Sequence, residues 1–205
     1  MQPTLTIANA PTARPGAIPD TDGTERVCAI LTRAFAQDPP CRWLFPEDAR
    51  YRNAFPSLAL GLGGAAFGDR TLVVHEHGAA LWLAPGAAPD EEAIVALVET
   101  RVPESLREAA FAVFSEMDVH HPSEPHWYLP IIGVTPERQG GGIGATLLAP
   151  VLERCDATGL PAYLEATTER SRRLYERLGF EARGEIRVAD CPPIVPMLRE
   201  PRPIN

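Results

Sequence analysis

The chain has no long apolar run. Nowhere do apolar residues reach the roughly 18 in a row that a membrane helix needs. The N-terminus lacks a basic segment followed by an apolar one, so no secretory signal is expected. Cysteine is scarce. Cys28, Cys41, Cys155 and Cys191 are scattered, with no C-x-x-C and no paired histidine spacing. Neither a zinc site, nor any other metal, nor a disulfide framework is expected, and the four thiols read as reduced residues in a cytoplasmic protein. Basic charge is short too: 19 Lys and Arg stand against 27 Asp and Glu, a net charge of −8. That balance argues against a nucleic-acid binder and suits a small cationic substrate, although acidic solubility explains it as well. There is no internal repeat. The 205 residues, 45% of them hydrophobic and 22% charged, can make one soluble domain with a sizeable core.

Twelve residues organise the rest: Val134-Thr-Pro-Glu-Arg-Gln-Gly-Gly-Gly-Ile-Gly-Ala145. Before them, Trp127 to Val134 is apolar, aromatic and β-branched, and reads as a buried strand. After them, Ile143, Leu147, Leu148, Val151, Leu152 and Cys155 fall on one helical face. The order is strand, glycine-rich turn, helix. A helix start presents unpaired N–H groups and the positive end of the dipole. Gly140, Gly141, Gly142 and Gly144 leave room for close backbone approach, so the turn reads as an anion site, most often one for phosphate. A nucleoside-triphosphate loop would need Gly-Lys-Ser/Thr, and here Gly144-Ala145-Thr146 has no lysine. A dinucleotide loop is matched literally by Gly140, Gly142 and Ala145, with Glu165 downstream as the ribose carboxylate. Four residues, Pro136 to Gln139, separate that match from its strand, and too little chain follows for a doubly wound sheet.

The 22 prolines cluster in four places and mostly mark loops. Thr4 to Ala8 alternates as a first, edge strand, and Pro11 to Gly23 reads as a loop. Asp22 or Thr24 can cap a helix through Val27, Leu31 and Phe35, which stops at Asp38-Pro39-Pro40. Trp43 to Phe45 is a short apolar segment. Pro46-Glu-Asp opens a helix through Tyr51, Phe55 and Leu58. Arg70 to His75 and Ala79 to Ala84 form a hairpin about Glu76-His77-Gly78. Asp90 caps a helix, another covers Leu106 to Met117, and His120 to His126 is a polar loop. Pro150 should kink the helix after the glycine loop. Ala162 to Ala166 is a strand, parallel to 127–134 through a right-handed crossover. Ser171 to Leu178 is a helix with Gly179 at C′ and Phe180 packing back. Glu185 to Ala189 and Ile194 to Leu198 read as the last strands. The class is α/β with a mixed sheet.

Gln139, Gly142 and Gly144 fill the fixed positions of Q/R-x-x-G-x-G/A, and Leu174-Tyr175-Glu-Arg-Leu-Gly179-Phe180 follows as L-Y-x-x-x-G-F. In this order the two motifs resemble the GCN5-related N-acetyltransferases (GNAT). The resemblance covers about 126–185, the expected coenzyme-binding core of a single domain over 1–205. It implies the acyl-CoA N-acyltransferase fold, a mixed, mostly antiparallel central sheet flanked by helices, with acetyl-CoA as cosubstrate. The segments Glu124 to Leu129, Pro161 to Glu165 and Phe35 to Pro39 look like the puromycin N-acetyltransferase-like branch, without puromycin being carried over as substrate. The expected partner is a small-molecule amine or a peptide, and dimers are common in the family, so a homodimer is one expected assembly.

Direct acetyl transfer in a ternary complex needs a neutral amine, oxyanion donors, a proton for the leaving thiolate, and two reactants held together. The resemblance gives Tyr175 the acid role, against the plainer reading of a packed aromatic. It makes Ile132 and Val134 the strand edge that pairs with the coenzyme arm, with an oxyanion donor near Val134. Gln139 to Ala145, including Ile143, bind the pyrophosphate, with Thr168 standing where asparagine is usual and Ser171 beside it. Glu165 is the candidate base, against pairing with Arg170 or Arg173. Asp38, His121 and His126 are further candidates. Arg138, Arg170 and Arg173 are candidate phosphate contacts. Phe35, Asp38 and Trp43, with Phe45 and Trp82, are candidates for the acceptor pocket. A non-catalytic coenzyme A module and a dinucleotide oxidoreductase are the alternatives.

Overall fold

The computed structural model describes residues 6–7, 21–69 and 71–203. Along the chain run β1 (Thr6–Ile7), α1 (Thr21–Ala34), α2 (Pro39–Leu44), α3 (Asp48–Gly63) and α4 (Ala65–Gly68). Next come β2 (Leu72–His75), β3 (Gly78–Leu83), α5 (Glu91–Arg101) and α6 (Glu104–Val119). The last elements are β4 (Trp127–Val134), α7 (Ile143–Thr158), β5 (Ala162–Ala166), α8 (Glu169–Arg177), β6 (Glu181–Ala182) and β7 (Val195–Arg199). The sheet order is β1-β2-β3-β4-β5-β7-β6. Among the described residues only β4 and β5 pair parallel, as the βαβ reading requires; the other pairs are antiparallel. One crossover in a mostly antiparallel sheet is not the doubly wound architecture of a dinucleotide enzyme.

Helices cover both faces. Leu31, Phe45, Phe55 and Val98 form one core with Leu81 and Ile131 of the sheet. Leu147, Leu148, Val151, Leu152 and Cys155 of α7 form the other, with Trp82, Leu129, Leu164 and Met197. Leu129 and Ile131 are two apart on β4 and should share a face. They do not, because β4 carries a bulge: Leu81 faces Ile131 while Leu83 faces Tyr128. The extra residue at Leu129-Pro130 reverses the pleat.

Several sequence expectations are revised. Helix α1 begins at Thr21, so Asp22 and Thr24 lie within it instead of capping it. The prolines after Asp38 open a helix as well as closing one. Asp38 caps α2 by accepting from the Cys41 N–H, and Pro39 takes the first helical position, where a missing N–H costs nothing. Trp43 and Leu44 are therefore helical. Phe45 and Trp82 are fully buried in the cores and do not line the apolar pocket that Phe35, Asp38 and Trp43 share. Glu185 to Ala189 is not a strand and contributes one bridge, Ile186 to Ile194. Ala189 has a φ of +48° and turns the chain before Pro192 and Pro193, which cannot donate to a ladder. Residues 1–5 and 8–20 and Arg70 lie outside the described residues.

Arg199 is 3% exposed and holds Asp156 through two bonds of 2.8 Å, from α7 to β7. Those bonds keep the Asp156 carboxyl below its ordinary range. Asp156→Ala leaves a buried guanidinium without its counter-charge and should cost about 3 kcal/mol of stability. The carboxyl's pKa is depressed on folding, so its contribution is full above the ordinary aspartate range and is lost as pH falls through the depressed pKa. Denaturant melts of both proteins from neutral to acid pH test this. Equal stabilities at pH 7 contradict it.

Candidate active site

Pairing between β4 and β5 stops at Leu129 opposite Leu164, although β4 runs on to Val134. Pro130 has no N–H to donate there. Past the bulge, the Thr135 N–H bonds His77 on the β3 side. Backbone groups alternate along a strand, so Ile132 and Val134 turn theirs away from β3, toward the gap. The Val134 carbonyl accepts from the Gln139 side chain at 3.0 Å, as this geometry predicts.

Beside that open edge begins α7. Its N-cap is Gly142, at φ +86°, a left-handed conformation unfavourable for any residue with a Cβ. Among the described residues no side chain caps the helix, and the first internal bond is from Thr146 N–H to the Gly142 carbonyl. The N–H groups of Ile143, Gly144 and Ala145 thus have no helical partner. Ile132, Val134, Gln139, Gly140, Ile143 and Gly144 line the cleft, and Gly141, Gly142 and Ala145 are on the same turn outside the lining. Gln139 also accepts from Arg170 at 2.8 Å, so it braces β4 against α8. Thr168 and Ser171 line the cleft as well, but their hydroxyls form a capping box at the start of α8. Of the three candidate arginines, Arg138 and Arg170 line the cleft, while Arg173 pairs with Glu169.

Tyr175 is set by the end of α8. The Phe180 N–H bonds the Tyr175 carbonyl and the Gly179 N–H bonds that of Glu176, each at 3.0 Å. This is a Schellman turn, made possible by Gly179 at φ +96°. The Tyr175 and Phe180 rings meet across it, 5.9 Å apart. Tyr175 is therefore both a packed aromatic and a residue lining the cleft. Burial, then the charges of Asp38 and Glu165, push its hydroxyl pKa upward.

Glu165 points into the gap with its side chain 4% exposed. Its neighbour is His121, not Arg170 or Arg173: His121 Nε2 lies 3.5 Å from Oε1, and Oε1 has no hydrogen bond among the described residues. Asp38 is also buried, which raises its pKa. Both of its oxygens are engaged, one by the Cys41 N–H and the other by the Thr167 hydroxyl. That leaves Asp38 placed as a brace and Glu165 as the carboxylate with a free oxygen. Phe35, Asp38, Glu165 and Thr167 also line a neighbouring apolar pocket with Trp43, Leu58, Phe114 and Met117. Thr167 and the function of Pro130 escaped the sequence reading. A proline inside a strand pattern is a signal of a bulge or an edge.

The profile of the acetyltransferase (GNAT) family matches residues 51–180. The chain belongs to this family. An uncharacterized N-acetyltransferase of Schizosaccharomyces pombe is 28% identical over 207 residues, 86% of this chain and 79% of that protein. A solved Corynebacterium glutamicum structure, described as histone acetyltransferase HPA2 and related acetyltransferase, aligns at TM-score 0.65 and 26% identity over 98% of each chain. Arylalkylamine N-acetyltransferase 2 of Aedes aegypti shares the GNAT fold at TM-score 0.60 and 16% identity, over 89% of this chain and 96% of its own. Drosophila melanogaster polyamine N-acetyltransferase shares it at 0.58 and 18%, over 88% and 96%. Among the described residues no helix is long and apolar enough to cross a membrane. Nor do they contain a group of three His, Cys, Asp or Glu able to hold a metal.

Thr167→Val should leave an Asp38 oxygen buried without a donor and lower stability by about 1–3 kcal/mol. Thr167→Ser should keep the bond and the stability. Denaturant midpoints decide it, and equal losses in both variants disprove the hydroxyl's role.

Proposed function

We propose that this GNAT acetyltransferase is a single-domain, acetyl-CoA-dependent N-acetyltransferase acting on the primary amine of a small molecule. The carrying observation is the open edge of β4 beside the uncapped start of α7. Together they present backbone donors along one cleft, with Arg138 and Arg170 in its lining. This fits an extended, pyrophosphate-bearing coenzyme: the α7 N–H groups hold the anion, and Ile132 and Val134 hold the arm. When bound, acetyl-CoA supplies an activated acetyl thioester.

The protein's residues supply the rest. The Val134 N–H is the donor for developing oxyanion charge. Glu165 takes the proton of the acceptor ammonium, so that a neutral amine is present in the gap. Tyr175 holds a proton for the leaving sulfur, and its raised pKa keeps that proton in place through neutral and mildly alkaline pH. Asp38 and Thr167 hold α2 against the end of β5 and so keep the pocket in register.

The acceptor pocket is mostly apolar, with carboxylates only at Asp38 and Glu165. That lining suits an amine carried on an apolar or aromatic body better than a polycation or a long peptide. Two similar folds act, by their names, on arylalkylamines and polyamines; the lining here favours the first chemistry. Assignment to the puromycin N-acetyltransferase-like branch rests on the segments around Glu124, Pro161 and Phe35 and belongs to the same proposal, as does a cytoplasmic location.

Calorimetric titration with acetyl-CoA, with NADH as control, tests the coenzyme. Acetyl-CoA should bind and NADH should not, and Gly142→Val should abolish binding by straining the turn. Normal affinity in that variant removes the loop assignment. Free-thiol release over an amine panel tests the reaction: arylalkylamines should outpace polyamines, and Tyr175→Phe should lower turnover about 100-fold with binding unchanged. An unchanged rate takes the acid role from Tyr175.

A further inference from the structure

The Glu165 side chain is almost inaccessible to solvent, and with both reactants in the cleft a proton it accepts has to leave by another route. The structure holds a chain of titratable groups behind it. His121 Nε2 is 3.5 Å from Glu165 Oε1. His121 Nδ1 is 3.4 Å from His126 Nε2. His126 Nδ1 lies 2.7 Å from the Glu124 carbonyl oxygen. Glu165 lines the reaction cleft, whereas His121 and His126 line a separate open cavity with Asp118 and Glu124. We propose that His121 and His126 carry the proton taken up by Glu165 out to solvent in this cavity. The proposal rests on the reading of Glu165 as the base.

The hydrogen bonds set the direction. A carbonyl only accepts, so His126 carries its proton on Nδ1, and in the neutral ring Nε2 is bare. Nε2 then accepts from the Nδ1–H of His121, which leaves His121 Nε2 bare toward Glu165. Each imidazole is thus placed to receive from the cleft side. The ammonium N–H bond breaks and Glu165 takes the proton. His121 accepts it at Nε2 and passes its Nδ1 proton to His126 Nε2. His126, now a cation, releases its Nδ1 proton to water in the cavity, and both rings return to their starting tautomers before the next turnover. One proton enters and one leaves, and no electrons are exchanged. Separations of 3.4 and 3.5 Å are long for hydrogen bonds, but catalytic contacts tighten when reactants bind.

The surroundings favour the two histidines over other carriers. The His121 ring is held against Tyr128 from β4 and Tyr163 from β5, with centroids 4.4 and 4.5 Å away. Burial, then the charge of Glu165, raises both phenols, so neither gives up a proton readily. Burial, more than the nearby His121 charge, lowers the pKa of His126, while the Glu124 carbonyl and Glu165 oppose it; at neutral pH the ring is ready to accept.

Two measurements test the relay. In the first, kcat and KM for acetyl transfer are compared in weak buffer for wild type, His121→Gln and His126→Ala. Relay variants should lose about tenfold in kcat with KM unchanged, and added imidazole should restore His126→Ala but not wild type. Unchanged kcat, or a loss that imidazole does not restore, overturns the relay. In the second, the His126 imidazole is titrated by NMR in wild type and Glu165→Gln. Loss of the carboxylate should lower its midpoint further, and an unmoved midpoint overturns the coupling. If wild type acetylates no amine, the functional reading fails, while the NMR titration still decides whether Glu165 and His126 form one proton chain.

Discussion

A proline and one extra residue in β4 shape most of what the site contains. Pro130 cannot donate to β5, and the bulge around it reverses the pleat, so that Leu129 packs on one face and Ile131 on the other. Two results follow from that single irregularity. The strands part, leaving the backbone of Ile132 and Val134 without a strand partner on one side among the described residues. The gap also admits the side chains of Glu165, near the end of β5, and of Thr167, just after it. A regular parallel ladder here would satisfy every backbone group and leave no cleft.

The remaining parts are local solutions around the gap. Gly142 in a left-handed conformation starts α7 without a side-chain cap and leaves its first donors facing outward. The Schellman turn at Gly179 fixes Tyr175 by backbone bonds and by the Phe180 ring, so an aromatic lining the cleft is also core. Asp38, as the cap of α2, ties that helix to Thr167. Each is positioned by hydrogen bonds made irrespective of any ligand. Such a site is largely preorganised.

Much of this was legible in the sequence where a motif is also a backbone requirement. The glycine turn and the Leu174 to Phe180 stretch demand particular dihedral angles, so their residues announce them. The strands at 127–134 and 162–166 are apolar and bounded by turn residues, and their limits match. Less legible were features that depend on partners distant in the chain. Asp38 as a cap looked like the end of the preceding helix, because Pro39-Pro40 suits a stop and a start equally well. The sequence places Glu165 near Arg170 and Arg173, five and eight residues on; instead Arg170 bonds Gln139, Arg173 pairs with Glu169, and His121 comes from another segment. Glu185 to Ala189 reads as a strand in the sequence, but Ala189 and the prolines after Cys191 bend the chain away after one bridge.

The open edge of β4 is the central claim, and amide hydrogen exchange reads it residue by residue. Exchange at Ile132 and Val134 would be followed with and without acetyl-CoA, using the Ile131 and Gly133 amides, which face β3, as internal references. Selective slowing at Ile132 and Val134 is the predicted result, because the coenzyme arm supplies the partner that β5 does not. Saturating coenzyme with exchange at those two amides unchanged would contradict the claim and place the ligand elsewhere on the molecule.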